Sequence, residues 1–485
     1  MRYFALATDY DGTIAHAGTV SESTLQALRK LKTSGRKLVL VTGRFVGDLQ
    51  QVFPHFPVFH RIVAENGAVL HLPDSGQTKL LADPLPASFI AALRKAGIPF
   101  DVGSCIVSTC VPHDAVVLKI IRDLGLELKV VYNKGSVMVL PSGVNKATGL
   151  MAALAGLCIS PHNTVAVGDA ENDHALLSSC AVAVALQNAI PTLKEEADLV
   201  TDQPEGSGVE SLIEQILSSD LAEVPGRRSF SSIPLWTTAA GRELSVDSFT
   251  SSFLIAGPSA SGRSTLVHSL LETMLKRGFQ VCLVDPEGDY EQAEGILSLG
   301  APGRPPDLPE ISKALESPST SIAINLLGLS IDERPPFFSA LLTRLQEIRA
   351  KFGRPHWIIF DEAHHLMPSS WQPNYPALLD GIVLVTVHPE AISLMALKSI
   401  KGALAVGDAP ESTLEKFRAA AGLPAAGPLW PTEPRKDTGN VVAWFPYERD
   451  LDRQGPTALQ VRHPTRELRR HKRKYAVGEL GEDKS

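Results

Sequence analysis

Residues 4–13 read Phe-Ala-Leu-Ala-Thr-Asp-Tyr-Asp-Gly-Thr, a short apolar run that leads directly into two aspartates and a glycine. The run Phe4–Ala7 predicts a buried strand. Asp9 and Asp11 follow at its carboxyl end, two residues apart, so their side chains project to the same side. Because open α/β sheets bind ligands at the carboxyl ends of their strands, this pair is placed where a ligand binds.

The next segment predicts a strand-helix-strand unit. A helix is expected near Thr24–Thr33, with a capping box from Ser23 to Gln26 and with Gly35 just past its end. The apolar run Leu38–Val41 then predicts a second strand. This alternation indicates a parallel sheet of the α/β class.

Three later apolar runs extend the predicted sheet to about residue 217: Val165–Val167, Ala181–Ala185 and Leu199–Val200. Before these runs, after the strand Leu38–Val41, the rhythm is interrupted by a block with predicted helices at Ala87–Ala96 and Asp114–Leu124. We therefore expect a Rossmann-like core at 1–70 and 140–217, with a small inserted α/β cap at 71–139.

The second half of the chain predicts a separate α/β domain. A stretch rich in Ser, Pro, Gly and Arg at 218–240 is interpreted as a linker, the domain is expected at 241–447, and a charged tail at 448–485. Its predicted buried strands are Phe253–Ala256, Val281–Val284, Trp357–Phe360 and Ile382–Val387.

Composition narrows the class of protein. The 485 residues carry a net charge of −7, which argues against a generally basic protein that coats nucleic acid. Five scattered cysteines fit a reducing compartment. The apolar run at the N-terminus is too short for an export signal, and no later run is long enough to span a membrane. A cytoplasmic protein without a membrane partner is expected.

Four loops are predicted to meet at one edge of the first sheet. They are Asp9–Thr13, the loop that begins at Thr42, the helix start at Lys146, and Gly168–Asp173. In order and type, these segments resemble the four motifs of the haloacid dehalogenase superfamily. Its Cof-type branch is especially similar in Val41–Arg44, Glu65–Ala68, Gly143–Lys146 and Gln187–Ala189.

The resemblance implies a magnesium-dependent phosphatase. Asp9 would attack phosphorus to form an aspartyl phosphate, and Asp11 would protonate the leaving group and then activate water. Thr42 and Lys146 would bind the phosphoryl oxygens. The Mg²⁺ ligands would come from Asp9, the Asp11 backbone carbonyl, Asp169 and Asp173. The expected substrate is a small phosphorylated metabolite, such as a sugar phosphate.

In the second half, Gly257–Thr265 reads Gly-Pro-Ser-Ala-Ser-Gly-Arg-Ser-Thr and lies between a predicted strand and a helix, the position of a phosphate-binding loop. Asp361 and Glu362 follow the strand Trp357–Phe360, as in a Walker B strand, where they assist magnesium and orient water. The predicted ATP-binding residues are Gly257, Gly262, Arg263, Ser264, Thr265, Asp361 and Glu362.

Residues 253–442 resemble HerA/FtsK-type motor ATPases. Within this range, Val284–Tyr290 is similar to the second strand of that family and Val385–Glu390 to its sensor strand. Arg263 stands where that family carries lysine, and His388 where it carries glutamine or asparagine. The resemblance implies an ATP-binding domain and self-association through it. Two hypotheses stay open for this half: an ATPase that acts on DNA, and a nonhydrolysing nucleotide sensor that regulates the phosphatase.

Two other features lead to weaker interpretations. His364 and His365 are adjacent and are expected to point apart on a helix, which argues against a zinc site. The segment Arg462–Lys474 contains seven Arg or Lys residues, which are typical of a solvated tail and also suit contacts with nucleic-acid phosphates.

Overall fold

The structure is a computed structural model of the 485-residue chain. It describes residues 1–133, 135–224, 230, 232–238, 243–247, 251–372, 380–423, 441–445 and 456–460. The chain forms two compact units, Met1–Ser231 and Ser232–Ser485. None of the helices within the described ranges is long and apolar enough to cross a membrane.

The first unit contains an eight-stranded sheet in the order β14-β13-β12-β1-β4-β5-β6-β7. The six strands from β14 to β5 are parallel. At one edge, β6 pairs antiparallel with β5, and β7 pairs antiparallel with β6. The strands of this unit are β1 Ala5–Thr8, β2 Ala15–His16, β3 Thr19–Val20, β4 Lys37–Val41, β5 Arg61–Ala64, β6 Val69–Leu72, β7 Gln77–Leu80, β8 Asp101–Val102, β9 Val107–Cys110, β10 Leu128–Asn133, β11 Ser136–Pro141, β12 Thr164–Gly168, β13 Val182–Ala185 and β14 Leu199–Val200.

Apolar clusters cover both faces of this sheet, as a parallel sheet requires. The helices of the unit are α1 Glu22–Thr33, α2 Val46–Val52, α3 Ala87–Ala96, α4 Asp114–Asp123, α5 Lys146–Gly156, α6 His174–Ser178, α7 Pro191–Glu196 and α8 Glu205–Ser219. The predicted α/β class is confirmed.

The N-cap of helix α1 lies two residues before the predicted one. Ser21, rather than Ser23, is the N-cap, and its side chain accepts a hydrogen bond from the Thr24 backbone N–H. The Ser23-to-Gln26 box is therefore wrong, because several neighbouring hydroxyl residues compete for the same N–H groups. The C-terminal prediction is confirmed, since Gly35 follows the helix at a φ of +92°.

A second, four-stranded sheet in the order β10-β11-β9-β8 packs with α3 and α4 around its own apolar cluster. This small subdomain is called the cap below. Residues 71–80 were predicted to belong to it, but β6 and β7 extend the core sheet instead. All four residues of β7 are exposed, so its sequence carries no alternation that would assign it to a sheet.

The second unit is built on an eleven-stranded sheet in the order β16-β15-β25-β24-β23-β17-β22-β21-β18-β20-β19. The seven strands from β23 to β19 are parallel. The strands are β15 Ser232–Thr238, β16 Glu243–Asp247, β17 Phe253–Ala256, β18 Val281–Asp285, β19 Ile296–Leu299, β20 Ser321–Asn325, β21 Trp357–Phe360, β22 Ile382–Thr386, β23 Gly402–Val406, β24 Val441–Trp444 and β25 Thr457–Gln460.

The helices described in this unit are α9 Arg263–Lys276, α10 Leu308–Glu316, α11 Arg334–Phe352, α12 Ala363–Leu366, α13 Leu394–Leu397 and α14 Pro410–Ala421. Two predicted boundaries are wrong. Strand β15 lies within the predicted linker 218–240, and β25 lies within the predicted tail 448–485. Strand β15 follows Ser231 and contains Pro234, and the four-residue strand β25 follows Pro456, so Ser and Pro concealed both strands in the sequence.

Candidate functional site

The predicted loops of the first unit meet at the carboxyl edge of its sheet. Asp9 follows β1, Thr42 follows β4, and Asp169 follows β12, while Lys146 is the first residue of α5. The start of α5 is fixed by a capping box, in which Asn145 and Thr148 exchange side-chain and backbone hydrogen bonds. The sheet order, with β4, β1 and β12 adjacent, brings these loops together.

Three buried carboxylates and one ammonium group form the centre of the site. Asp9, Asp169 and Asp173 each offer an oxygen, and these oxygens lie within 4.8 Å of one another. The Lys146 Nζ atom donates to Asp9 Oδ1 at 2.7 Å and to Asp173 Oδ1 at 2.6 Å. The single ammonium group of Lys146 thus lies among three carboxylates. Their oxygens are the ligand type that a hard divalent metal ion prefers.

Asp169 and Asp173 are held by their own loop and by residues after β1. Asp173 Oδ2 accepts hydrogen bonds from the backbone N–H groups of Asp169 and Ala170, both at 3.0 Å. The Thr13 hydroxyl donates to Asp169 Oδ1 at 2.9 Å. Because Asp173 uses both oxygens on protein donors, it orients Lys146 and the loop as well as adding negative charge.

The electrostatics of the centre favour added positive charge. Burial raises the pKa of Asp9 to about 7, even though Lys146 lowers it, and the charges of Asp173 and Asp169 raise it further. Burial alone would lower the pKa of Lys146, but the charges of Asp173 and Asp9 outweigh burial and raise it. The ammonium group therefore stays charged, and the carboxylates remain short of countercharge.

The Asp11 carboxylate lies outside this cluster and pairs with Arg44. Arg44 Nε and Nη2 each donate to one Asp11 oxygen at 2.6 Å, a bidentate pair. The guanidinium group also lies 5.3 Å from the centre of the Tyr10 ring. Arg44 had no predicted role, although it belongs to the segment Val41–Arg44 that carries the resemblance.

Thr42 is buried beside this pair, and its hydroxyl accepts a hydrogen bond from the Arg44 backbone N–H at 3.2 Å. Its backbone N–H and C=O bind Val63 and Asn66. The structure thus places Thr42 in the predicted loop. Asn188, within the quoted Gln187–Ala189 segment, also contributes: its amide donates to Gly12 O at 2.8 Å and to Asp169 Oδ2 at 3.5 Å.

Glu65 and Asn66 also reach this region and had no predicted role. Glu65, Asn66 and Gly67 have consecutive positive φ values of 53°, 52° and 109°. Both polar side chains are buried. The signal that could have found them is the quoted Glu65–Ala68 segment, a polar pair directly after a buried strand.

In the second unit, the predicted phosphate-binding loop connects β17 to α9. Gly262 is the N-cap of α9 at a φ of +105°, and Arg263 is the first helical residue. A Cβ on Gly257 would lie 2.2 Å from Val406 O, so only glycine fits there. Ser264 and Thr265 are half-buried in the first turn. Among the described residues, the buried Ser261 hydroxyl has no hydrogen-bond partner.

Arg263 is paired with Glu362, which follows β21, a strand separated from β17 by β22. Its Nη2 atom lies 3.2 Å from Glu362 Oε1, and both side chains are about nine-tenths buried or more. Asp361 Oδ1 accepts from the Glu362 backbone N–H at 2.9 Å. Burial raises the pKa of Asp361 to about 7, with further increases from the charges of Glu362 and Asp285.

The adjacent histidines do not point apart as predicted. The His364 and His365 rings lie 4.1 Å apart, because α12 has only four residues and begins after Glu362, which has a φ of +41°. His364 Nδ1 lies 3.0 Å from the Thr386 hydroxyl. His388 is exposed beside Glu390. The basic segment Arg462–Lys474 lies outside the described residues.

Comparison with known protein families assigns a match to each half. Residues 6–118 and 118–213 match the family described as haloacid dehalogenase-like hydrolase. Residues 239–347 match the central domain of helicase HerA.

Individual relatives match the first half. The chain is 30% identical over 223 residues to a phosphoglycolate phosphatase of Methanothermobacter thermautotrophicus, covering 44% of this chain and 98% of the relative. It is 26% identical over 231 residues to a phosphoglycolate phosphatase of Pyrobaculum islandicum, covering 45% of this chain and 98% of the relative. A haloacid dehalogenase-like hydrolase from Bacteroides thetaiotaomicron aligns at 19% identity and a TM-score of 0.39, over 44% of this chain and 99% of that one.

Proposed function

Because this chain belongs to the haloacid dehalogenase-like hydrolases, we propose that its first unit is a magnesium-dependent phosphatase that acts on a small phosphorylated metabolite through Asp9. Family membership confirms the resemblance drawn from the four motifs, and the HerA central-domain match confirms the resemblance drawn from the second half. The observation that supports the proposal most strongly is the Lys146 ammonium group held between Asp9 and Asp173.

In the proposed reaction, an Asp9 oxygen attacks phosphorus and displaces the alcohol, which leaves an aspartyl phosphate. Asp11 gives a proton to the departing oxygen, then takes one from the water that hydrolyses the aspartyl phosphate. Arg44 orients the ionised Asp11 carboxylate through its two 2.6 Å contacts. The acid step uses protonated Asp11, in which the protonated oxygen has left Arg44 for the departing oxygen, and the proton taken from water restores that form for the next turnover. Lys146 and Thr42 bind phosphoryl oxygens, so the negative charge on the phosphate does not repel Asp9.

The carboxylate cluster fits Mg²⁺. Asp9, Asp169 and Asp173 are buried with oxygens within 4.8 Å, and burial holds the pKa of Asp9 at about 7. A dication supplies the charge that this cluster lacks, and it shields the phosphate from the carboxylates. Asp9 and Asp169 are the main proposed ligands, with the Asp11 carbonyl and Asp173 completing the set.

For the substrate, we favour a phosphomonoester of a small hydroxy acid or sugar. Relatives that the chain covers almost completely are named phosphoglycolate phosphatases. We therefore place 2-phosphoglycolate first, followed by sugar phosphates.

The proposal is tested by phosphate release from a panel that contains 2-phosphoglycolate and several sugar phosphates, with and without Mg²⁺. Asp9→Asn removes the nucleophile, and Asp74→Asn, in the exposed turn between β6 and β7, is the matched control. We expect activity in the natural protein and in the control, and none in Asp9→Asn. Equal activity in all three proteins would refute the assignment.

For the second unit, we propose binding of a nucleoside triphosphate with little or no hydrolysis. The loop Gly257–Gly262 and the N-terminus of α9 form a cradle that fits phosphate, and the Ser261 hydroxyl in that loop has no hydrogen-bond partner among the described residues. The specific observation against turnover is the buried pair between Arg263 and Glu362. It engages the carboxylate that would orient water, and a guanidinium group replaces the compact lysine ammonium.

Phosphate released by the first unit would obscure this test, so it is made in the Asp9→Asn background. Calorimetric titration with ATP should show binding without phosphate release, and Arg263→Lys should introduce turnover. DNA-stimulated ATP hydrolysis in the Asp9→Asn protein would support a DNA-acting ATPase instead. No binding of ATP at all would overturn the assignment of the unit.

A further inference from the structure

The turn Glu65–Gly67 connects β5 to β6 and contacts both the loops of the site and the cap. It is a strained turn with two buried polar side chains. Glu65, Asn66 and Gly67 all have positive φ, and two of them are not glycine. Such a backbone is strained at the two non-glycine residues and persists only where its surroundings enforce it. The backbone N–H groups of Glu65 and Asn66 bind the carbonyls of Arg44 and Thr42, at 3.1 and 3.0 Å.

Glu65 binds the cap through its carboxylate. Oε1 accepts from the Ser104 backbone N–H at 2.9 Å, and Oε2 accepts from Cys105 and Ile106 at 2.8 and 3.2 Å. These three residues lie in the loop between β8 and β9, which spans residues 103–106. A Cβ at Gly103 would lie 2.7 Å from Glu65 Oε2, so this loop approaches the carboxylate as closely as its backbone allows.

Asn66 connects the cap with the loop that carries Asp169 and Asp173. Its Oδ1 accepts a hydrogen bond from the Asn172 amide at 2.9 Å, and its Nδ2 lies 2.6 Å from the sulfur of Met138 on cap strand β11. One strained turn therefore contacts the loop of Thr42 and Arg44, the acidic loop and two parts of the cap.

We propose that Glu65 and Asn66 are positioning residues that fix the cap over the phosphatase site and thereby set its selectivity for the leaving group. The proposal rests on the proposed phosphatase function for its kinetic consequences. Neither side chain has a role in the chemical steps; both act through the loops that they hold. A carboxylate that accepts three N–H groups cannot be replaced by an amide, because the amide nitrogen would face a donor.

The test compares the full-length protein with Glu65→Gln and with Glu127→Gln, an exposed cap glutamate that serves as the control. Hydrogen exchange followed by mass spectrometry should show exchange of the 104–106 amides about tenfold or more faster in Glu65→Gln, since charge-assisted bonds are lost. Strands β1 and β12 should keep their protection.

Kinetics supply the second readout. For the best metabolite of the panel, kcat/KM should fall about tenfold to a hundredfold in Glu65→Gln, because displacement of positioning elements by about 1 Å has effects of this size. Acetyl phosphate, whose activated leaving group needs little help from the cap, should lose no more than about twofold. Met138→Leu, which removes only the cap contact of Asn66, should produce a smaller change in the same direction.

Unchanged exchange of the 104–106 amides in Glu65→Gln would overturn the proposal, as would an equal loss for both substrates, which indicates a purely structural role. If the natural protein hydrolyses no phosphoester, the proposed function fails, and the exchange experiment still decides whether Glu65 holds the cap.

Discussion

Replacing Lys146 with methionine tests the electrostatic account of the phosphatase site. Methionine has nearly the same length but no charge, so both contacts at 2.7 and 2.6 Å are lost. Lys146 is 1% exposed. Water therefore cannot replace the ammonium group without rearrangement of the site.

The size of the effect follows from this burial. Removing one partner of a buried ion pair costs about 3–5 kcal/mol. Burial already holds the pKa of Asp9 at about 7, so Asp9 takes up a proton near neutral pH and relieves part of the cost. The lower end, about 3 kcal/mol, lowers the melting temperature of a unit of this size by about 6–12 °C.

Two assays separate the proposed roles of Lys146. In Lys146→Met, kcat should fall about 10²- to 10³-fold, because a preorganised donor to the phosphoryl group is lost. Mg²⁺ affinity should not fall, since a positive charge beside the ligands is removed. Lys95→Met, at an exposed position of α3, is the control. Turnover within twofold of the natural protein, or parallel losses of turnover and Mg²⁺ affinity, would refute this reasoning.

Three further predictions concern the first unit, whose unfolding is followed by hydrogen exchange because all five tryptophans lie in the second unit. Because the pKa of Asp9 is raised in the folded state, the free energy of unfolding of the metal-free unit should fall as pH rises from about 4 to 7. Mg²⁺ should stabilise the unit increasingly over the same range, since it binds the ionised carboxylate. A stabilisation by Mg²⁺ that does not change with pH would contradict this. Arg44→Lys should lower kcat about tenfold or more for alkyl phosphates and less for acetyl phosphate, measured by phosphate release, because one ammonium group cannot orient Asp11 bidentately; equal losses for both substrates would argue against that role. Gly67→Ala places a Cβ 1.9 Å from Asn145 O and should destabilise the unit more than Gly76→Ala, where φ is +68° but the surrounding space is open; equal amide protection of the first unit in the two variants would show that the close approach is not rigid.

Much of the fold could be predicted because its signals are local. Helix α3 was placed correctly at Ala87–Ala96 since Pro86 precedes it and Gly97 ends it in the left-handed conformation. Buried strands such as β17 and β21 are continuous apolar runs that begin and end abruptly. The four loops that meet at the sheet edge followed from motifs placed at three strand ends and at the start of one helix.

The features that were missed depend on contacts between distant residues. Arg263 and Glu362 are 99 positions apart, and Glu65 binds a loop about 40 positions away. Nothing near these residues in the sequence indicates which partner neutralises them. The exposed edge strand β7 was missed for a different reason, because no buried face leaves an alternating pattern in its sequence.

Trapping the phosphorylated intermediate would show whether Asp9 carries the phosphoryl group. The natural protein is mixed with its best substrate and Mg²⁺, quenched with acid during turnover, digested, and examined by mass spectrometry. We expect a phosphorylated peptide that contains Asp9 and that is absent from Asp9→Asn. Phosphorylation at another residue, or undiminished turnover by Asp9→Asn, would contradict it.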